Sequence, residues 1–562
     1  MSKLRLYIST ALHLKPTQIV YRLWRNLGGR TSLYVGYKPR PDIDKVDISR
    51  IPVLPELDFD PVFLARFDVD ALLNDRVELL HHEERIDWRE SWHAELSTPL
   101  WRFNLHYHEY LLPLAKAFLD KGNKHYLDKV KGIIDSWIDA CPSERGGVAW
   151  DSYVISMRIV NWLAIKAELA DALAADVDFC ERMDASLVEQ YIQLSQHLEK
   201  DLLANHYLED LKALTILACY FDDIKTLEIV LPMLKAQVDE QVLGDGMHFE
   251  LSPMYQKIVL EDLMRVAVVL QASGNGNYDE AFKLQIMCNC LYSLERGINR
   301  TPLFNDCGDN VSKSRDALLT CARKHFGIEP VFHNMLESSG YCILERQTSA
   351  GSVKAIFDSG NPGPPYALGH LHCDALSFEL FINGEAIIIN RGTFSYQDKR
   401  RLDFKSTSSH STVIISDDEQ NECWGSFRIA KYGKKISVKR NGNSVEGKYL
   451  TPKGNIVSRT VSLSGNALSV FDKVLFNNSS SSSYIHLFTT GMCEVVSGGC
   501  RVEYPNFNLL ISSLDCEPIL RETSFAPEFG MEEKVTEIAF STKAVDQKAS
   551  VSRVTILIVN SK

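Results

Sequence analysis

From about residue 61 to residue 330 apolar residues recur every three to four positions. That spacing turns one face of a helix toward a core. Tyr110, Leu111, Leu114, Ala115 and Phe118 make one such stripe, Leu208, Leu211, Leu214 and Ala218 a second, and Leu263, Val266, Val269 and Leu270 a third. Breaks fall at Gly122, at 141–147, at 244–246 and at 274–276. Helices with such short breaks suit a set of helical hairpins, arranged as a bundle or as a closed ring. No strict repeat runs through them, which argues against a regular solenoid.

Near residue 340 the period changes to two. Residues 341–344, 353–357, 376–382, 385–389, 412–415, 459–463, 467–476, 483–488 and 554–559 read as short strands. Asn383-Gly384, Asn441-Gly442 and Gly465-Asn466 supply turns between them. The predicted architecture is α+β and multidomain. Residues 1–60 form an N-terminal helix and connector, 61–335 a helical domain, and 336–562 an antiparallel β domain built as a sandwich of sheets. Residues 4–33 fit an amphipathic surface helix that could touch a membrane or a partner. The Pro- and Asp-rich stretch 34–60 reads as irregular, and 477–483 as an exposed low-complexity loop.

Composition adds boundaries to this picture. A chain of 562 residues exceeds the size of a single core. A net charge of -12 disfavours general nucleic-acid binding, yet an acidic protein can still hold a local cationic cleft for an anionic ligand. The 13 cysteines contain no CxxC pair, so no disulfide framework is expected and a reducing compartment fits. The first 30 residues carry scattered charges rather than a secretion signal. No apolar run reaches the roughly 18 residues of a membrane span. The expected location is cytoplasmic, or outside by a non-classical route.

Three groups of residues carry candidate chemistry. The first lies at the junction of the two patterns, Gly369-His370-Leu371-His372-Cys373-Asp374. In an extended segment its two histidines and aspartate share one face, so they line a cleft, bind a metal or sit on a wet strand end. The second group is Asn205-His206, ahead of the second helical stripe, and Glu250-Leu251-Ser252-Pro253-Met254-Tyr255. Here Asn205 caps a helix or serves a site, and Tyr255 is either a core residue with a bonded hydroxyl or a functional one. The third is aromatic: Trp101 to Tyr107 with Asn104 and His106, then Trp150, Tyr153, Arg158, Asn161 and Trp162. Rings interleaved with Arg, Asn and His suit a sugar-binding groove, where C–H faces stack and polar groups reach hydroxyls and carboxylates. His372, His410 and Asn390 each adjoin a predicted strand, a pattern that fits a zinc-type site or a polar strand edge.

In order and spacing these segments resemble the heparinase II/III-like polysaccharide lyases. The likeness is carried by Leu14-Lys15-Pro16-Thr17-Gln18-Ile19, Trp101 to Tyr107, Arg158-Ile159-Val160-Asn161-Trp162, Asn205-His206, Ser252-Pro253-Met254-Tyr255, Gly369 to Phe378, Arg391-Gly392-Thr393 and Ser406 to Val413. It implies an (α/α) toroid followed by antiparallel β sheets. It implies β-elimination at a uronic acid of an anionic polysaccharide: a glycosaminoglycan, alginate or a bacterial capsule polymer. Asn205 is then expected to neutralise the uronate carboxylate, Tyr255 to act as base, acid or both, and His206 and His370 to share proton transfer or hold substrate. Glu209 matches an acid of the family, and Glu250 joins it as a binding candidate. Arg158 and the histidines are candidates to lower the Tyr255 pKa. His372 and His410 match metal-holding positions, and the third, an aspartate in many members, is Asn390 here, a weaker ligand. One structural divalent metal, zinc or similar, and no organic cofactor are expected. Two other readings stand: a non-catalytic polysaccharide-binding or assembly factor, and a glycoside hydrolase using Glu209 and Glu250.

Overall fold

Four helices form the inner layer of the N-terminal half: Pro99–Tyr107, Ser152–Glu168, Ala204–Tyr220 and Pro253–Ala272. Each packs on the next. In Ala204–Tyr220 every residue except His206 is buried, because the helix is covered on both sides and needs no polar outer face. Lys124–Ala140, Val177–Gln196, Ile224–Gln241 and Leu284–Glu295 form the outer layer; Ile224–Gln241 buries a stripe that includes Val230, Leu234 and Val238, while most of Leu284–Glu295 is buried. Asn123, Asp176, Asp223 and Ser252 cap helix starts through their side chains, each satisfying backbone N–H groups that have no partner within the helix. The arrangement is an (α/α) toroid. This computed structural model describes residues 3–560 apart from 34–36, 310, 478–481, 515 and 547. Most of the loop expected at 477–483 therefore lies outside the described residues.

The C-terminal half is a sandwich of two antiparallel sheets. One sheet runs Ile519–Phe525, Glu533–Ser541, Ser483–Thr489, Glu385–Ile389, Phe378–Ile382, Gly351–Asp358, Tyr341–Thr348, and Val413–Ile415 also pairs with Ser483–Thr489. The other runs Lys434–Asn441, Ser444–Leu450, Ile456–Ser464, Ala467–Leu475, Ala549–Asn560, Phe507–Ser513, Gly499–Glu503, Met492–Val496, and Lys543–Asp546 also pairs with Ala549–Asn560. Burial alternates along Ile456–Ser464, so Val457, Val461 and Leu463 face the inter-sheet core. Arg459 shares that inner face, opposite Asp472 in the register. Its Nε and Nη2 donate to the two Asp472 oxygens at 2.8 and 3.0 Å.

Four local features differ from the sequence reading. The 369–376 stretch is a loop and the strand starts at Phe378. Its polar residues converge because the loop at 301–309 clamps it: Asp374 Oδ2 accepts the Asn305 N–H, and Asn305 Oδ1 accepts the His372 N–H. The leading amphipathic segment splits into α1 (Lys3–Ala11) and α2 (Pro16–Asn26), since Pro16 pushes Lys15 out of the helical region. Within 34–60 three short helical pieces form, Ile43–Lys45, Ile48–Arg50 and Pro55–Asp58. A small hairpin, Arg76–Leu79 with His82–Arg85, interrupts the helical domain. Its turn places Leu80 and His81 at positive φ, which no Gly or Asn announced.

Candidate active site

Two of the inner helices begin on strained backbone. Leu203 and Ala204 have φ of 62° and 53°, and Leu251 has φ of 58°, values that side chains bearing a Cβ rarely adopt. The first bend delivers Asn205 and His206 in the opening turn of Ala204–Tyr220. The second leads to the Ser252 cap and Tyr255. Ser252 also donates to the Asp306 carbonyl at 2.6 Å, which ties that helix start to the loop at the sheet junction.

Asn205, His206, Tyr255 and His370 all line one cavity of about 880 Å³ between toroid and sandwich, within the range of ligand sites. Asn205 is buried, and its Oδ1 has no hydrogen-bond partner among the described residues. His206 Nδ1 lies 2.9 Å from Glu199 Oε2. Partial burial in the cleft works against charge on this imidazole, but Glu199, with Asp151 and Glu250, outweighs it and holds the pKa up to about 9. His206 is therefore an imidazolium at neutral pH, beside a helix N-terminus whose dipole also favours an anion.

Across the cavity His370 Nδ1 meets Asp306 Oδ2 at 2.8 Å. Asp306 is fully buried and receives several donors: His372 Nε2 at 2.8 Å, Arg401 Nη2 at 2.6 Å and Arg401 Nη1. Burial alone would favour its neutral acid, but Arg401, His370 and His372 hold it well below the usual carboxylate range. An ionised Asp306 accepts the Nδ1–H of His370, so that in the neutral ring the lone pair sits on Nε2. The His370 ring lies 4.5 Å from that of Tyr255. Tyr255 Oη is 3.0 Å from Tyr396 Oη. Burial, then Tyr396, Tyr153 and Glu250, push the Tyr255 pKa well above 10. The expected lowering does not occur, and the phenol keeps its proton.

Tyr107 and Tyr153 pack at 6.1 Å, and Tyr153 and His206 at 4.8 Å, forming one aromatic wall. His370, Tyr396 and Phe427 form the facing wall. Asn104, Glu209 and Glu250 also line the space. Asn104 donates to the Leu100 carbonyl, and Glu209 pairs with Lys212, which reaches Asp262 at 2.6 Å. Three expected groove residues lie elsewhere. His106 is buried and accepts from Trp137 Nε1 at 3.1 Å, and burial lowers its pKa to about 3. The Arg158 guanidinium stacks 3.8 Å from the Trp137 ring and donates to Gln190. Trp150 packs on Trp137 and donates to the Cys141 carbonyl. These three build the wall behind the cavity, because stacked Trp and Arg satisfy one another without a ligand. The sequence reading missed Asp306, Tyr396, Arg401 and Glu199.

The expected metal ligands lie behind His370. His372 Nδ1 and His410 Nε2 face each other at 3.1 Å, while His410 Nδ1 is 2.8 Å from the Ser406 carbonyl. Burial lowers both pKa values, that of His372 to about 4. His410 therefore gives its one proton to Ser406. Neutral His372 has one proton for two neighbours, Asp306 and His410, that both lack one. A cation between the two imidazoles removes that conflict, and each ring already donates outward as metal-bound histidines do. Asn390 fits less well: Oδ1 accepts the Ser411 N–H, Nδ2 donates to Ser377, and the amide brings no charge. Elsewhere, Glu56, Cys321 and His325 cluster at ligating distance among the described residues, but Lys324 already holds Glu56 at 2.9 Å.

A toroid joined to a β sandwich, with an amide, two imidazoles and a phenol around one cleft between them, defines the two-domain architecture of the heparinase type. The chain belongs to the heparinase II/III-like family: residues 65–331 match the heparinase II/III N-terminus and residues 332–554 the heparinase II/III-like C-terminal region. A heparin-sulfate lyase of Bacteroides thetaiotaomicron is 20% identical over 425 residues, covering 66% of this chain and 59% of that protein. A heparin-sulfate lyase of Pedobacter heparinus is 25% identical over 264 residues, covering 40% and 39%. The matches thus span less than two thirds of those relatives. The crystal structure of a heparinase III superposes with a TM-score of 0.66 at 16% identity, covering 97% of this chain and 92% of that one. That likeness establishes the fold.

Proposed function

We propose that this protein is a polysaccharide lyase that cleaves a uronate-containing anionic polysaccharide by β-elimination. The observation that carries the reading is the convergence of Asn205, His206, Tyr255 and His370 on one cleft, with Asp306 orienting His370. Asn205 and the His206 imidazolium receive the uronate carboxylate; an Asn amide offers either end by flipping, so its NH2 can face the ligand. Drawing charge into that carboxylate makes the C5 proton more acidic. His370 Nε2 takes the proton as base. The electron pair forms the C4–C5 double bond as the C4–O bond breaks, and Tyr255 Oη protonates the leaving oxygen. Base and acid are then separate residues, as the tautomer of His370 and the raised Tyr255 pKa both favour.

The names of the two relatives place glycosaminoglycans first among substrates to try, with alginate and capsular polymer as further arms. The test is incubation with heparan sulfate, hyaluronan, chondroitin sulfate, alginate and capsular polymer, followed by ultraviolet absorbance of the unsaturated uronate. A gain on at least one polymer, abolished by Asn205→Ala, is expected. No gain on any of them contradicts the reading. Binding without product would instead favour the non-catalytic factor. His372 and His410 are proposed to hold one divalent cation, which would pin the 369–374 loop to the 406–412 segment in a structural role. Metal analysis of the purified protein and a lower unfolding midpoint after chelation check this independently of activity.

A further inference from the structure

We propose that α1 and α2 dock this protein on an anionic lipid surface. An amphipathic helix normally turns its apolar stripe to the protein and its polar side to water. Here the polarity is reversed. In α1, Ser9 and Thr10 donate to the carbonyls of Ala430 and Ile429, and just past its end His13 Nε2 lies 2.9 Å from the Ala430 carbonyl. In α2, Gln18 donates to the Leu202 carbonyl at 3.1 Å and Arg25 pairs with Asp201 at 2.5 Å. The apolar stripes point outward: Leu4, Ile8 and Leu12 are 69, 53 and 79% exposed, and Val20, Leu23, Trp24 and Leu27 are 61, 59, 53 and 83% exposed. No residue of α1 is buried, and only Gln18 of α2 is. Polar anchoring of two helices with their aliphatic stripes left in water is costly unless something apolar covers them.

The charge pattern identifies what covers them. Residues 1–41 contain eight Lys and Arg and no Asp or Glu, in a chain whose net charge is -12. Lys3 and Arg5 are exposed beside the α1 stripe, and Arg22, Arg25 and Arg30 stay exposed beside α2 while reaching Asp201 and Gln196. Leu, Ile and Trp flanked by cations match the acyl boundary and headgroups of an anionic membrane. A second copy fits poorly, because a two-fold contact would set this cationic patch against itself. No helix among the described residues is long and apolar enough to cross a membrane, so the contact is peripheral. Tyr7, Thr10, Gln18 and Arg22 also line the cavity, so the docking face and the cleft adjoin.

The test is co-sedimentation of the full chain with vesicles of phosphatidylcholine alone or mixed with phosphatidylglycerol. The protein is expected to pellet with the mixed vesicles at least about tenfold better than with the neutral ones, and less at high salt. Leu23→Ser/Leu27→Ser and Lys3→Glu/Arg5→Glu should each weaken pelleting at least about tenfold, with unchanged thermal midpoints because the four residues are exposed. Absence of pelleting with mixed vesicles, or unchanged pelleting of both variants, overturns the proposal. A dimer that Leu23→Ser/Leu27→Ser dissociates, in place of vesicle binding, overturns it and assigns the face to a second copy. None of these outcomes depends on lyase activity.

Discussion

At the scale of single residues, the protonation of each cleft group follows from one or two neighbours. Glu199 keeps His206 charged, Asp306 selects the His370 tautomer, and burial among phenols keeps Tyr255 neutral. The His206 charge gives a pH signature. Its pKa is raised to about 9, so the imidazolium proposed to meet the substrate carboxylate is present below that pH and lost above it. KM should rise as pH passes about 9, with kcat less affected. In His206→Gln, KM should be raised about tenfold or more, the worth of one hydrogen bond to a charged group, and should not change across that range. A variant whose KM still climbs near pH 9 would remove His206 from carboxylate binding. Sequence reading reached Asn205, His206, Tyr255 and His370 because each belongs to a short motif. It missed Asp306 because a lone aspartate in a loop, 64 positions from His370, carries no local signal. It misplaced Arg158 because an Arg among tryptophans reads alike whether it faces a ligand or stacks on Trp137.

At the scale of elements, the site depends on how helices begin and how the sheets are pinned. Ala204 opens its helix at φ 53°, a conformation glycine adopts without cost. Ala204→Gly should therefore leave the unfolding free energy unchanged or higher. Ala213→Gly, in the interior of the same helix, should lower it by about 1 kcal/mol. Paired urea titrations check the contrast, and an equal loss in both would mean the bend stores no strain. Asp472 is the buried partner of Arg459, whose Nη1 also donates to the carbonyls of Leu376 and Ser411, at 2.9 and 2.7 Å. Asp472→Ala leaves that guanidinium without its counter-charge and should cost about 3–5 kcal/mol, read from the same titration. Since Leu376 and Ser411 adjoin the 369–374 loop and His410, the variant should lose activity as well. Helical and strand periods were legible because packing enforces them. The pivot loop and the 76–85 hairpin were not, since contacts distant in sequence set the first and positive φ at Leu80 and His81 the second.

At the scale of the molecule, neither half makes the cleft alone. The toroid supplies Asn205, His206 and Tyr255, the β domain supplies His370 and Tyr396, and the loop at 301–309 joins them through Asp306. The change from helical to strand period near residue 340 marked the passage from helical to antiparallel β architecture, and the pairing of residues across the two came from the likeness of motifs. The proposed chemistry is tested most directly by the mass of the new non-reducing end formed from a uronate polymer. Elimination predicts an end lighter by one water than a hydrolysis product, formed by the wild-type protein and absent with Tyr255→Phe. A product carrying the full water, or an unsaturated end formed as fast by Tyr255→Phe, would contradict the account.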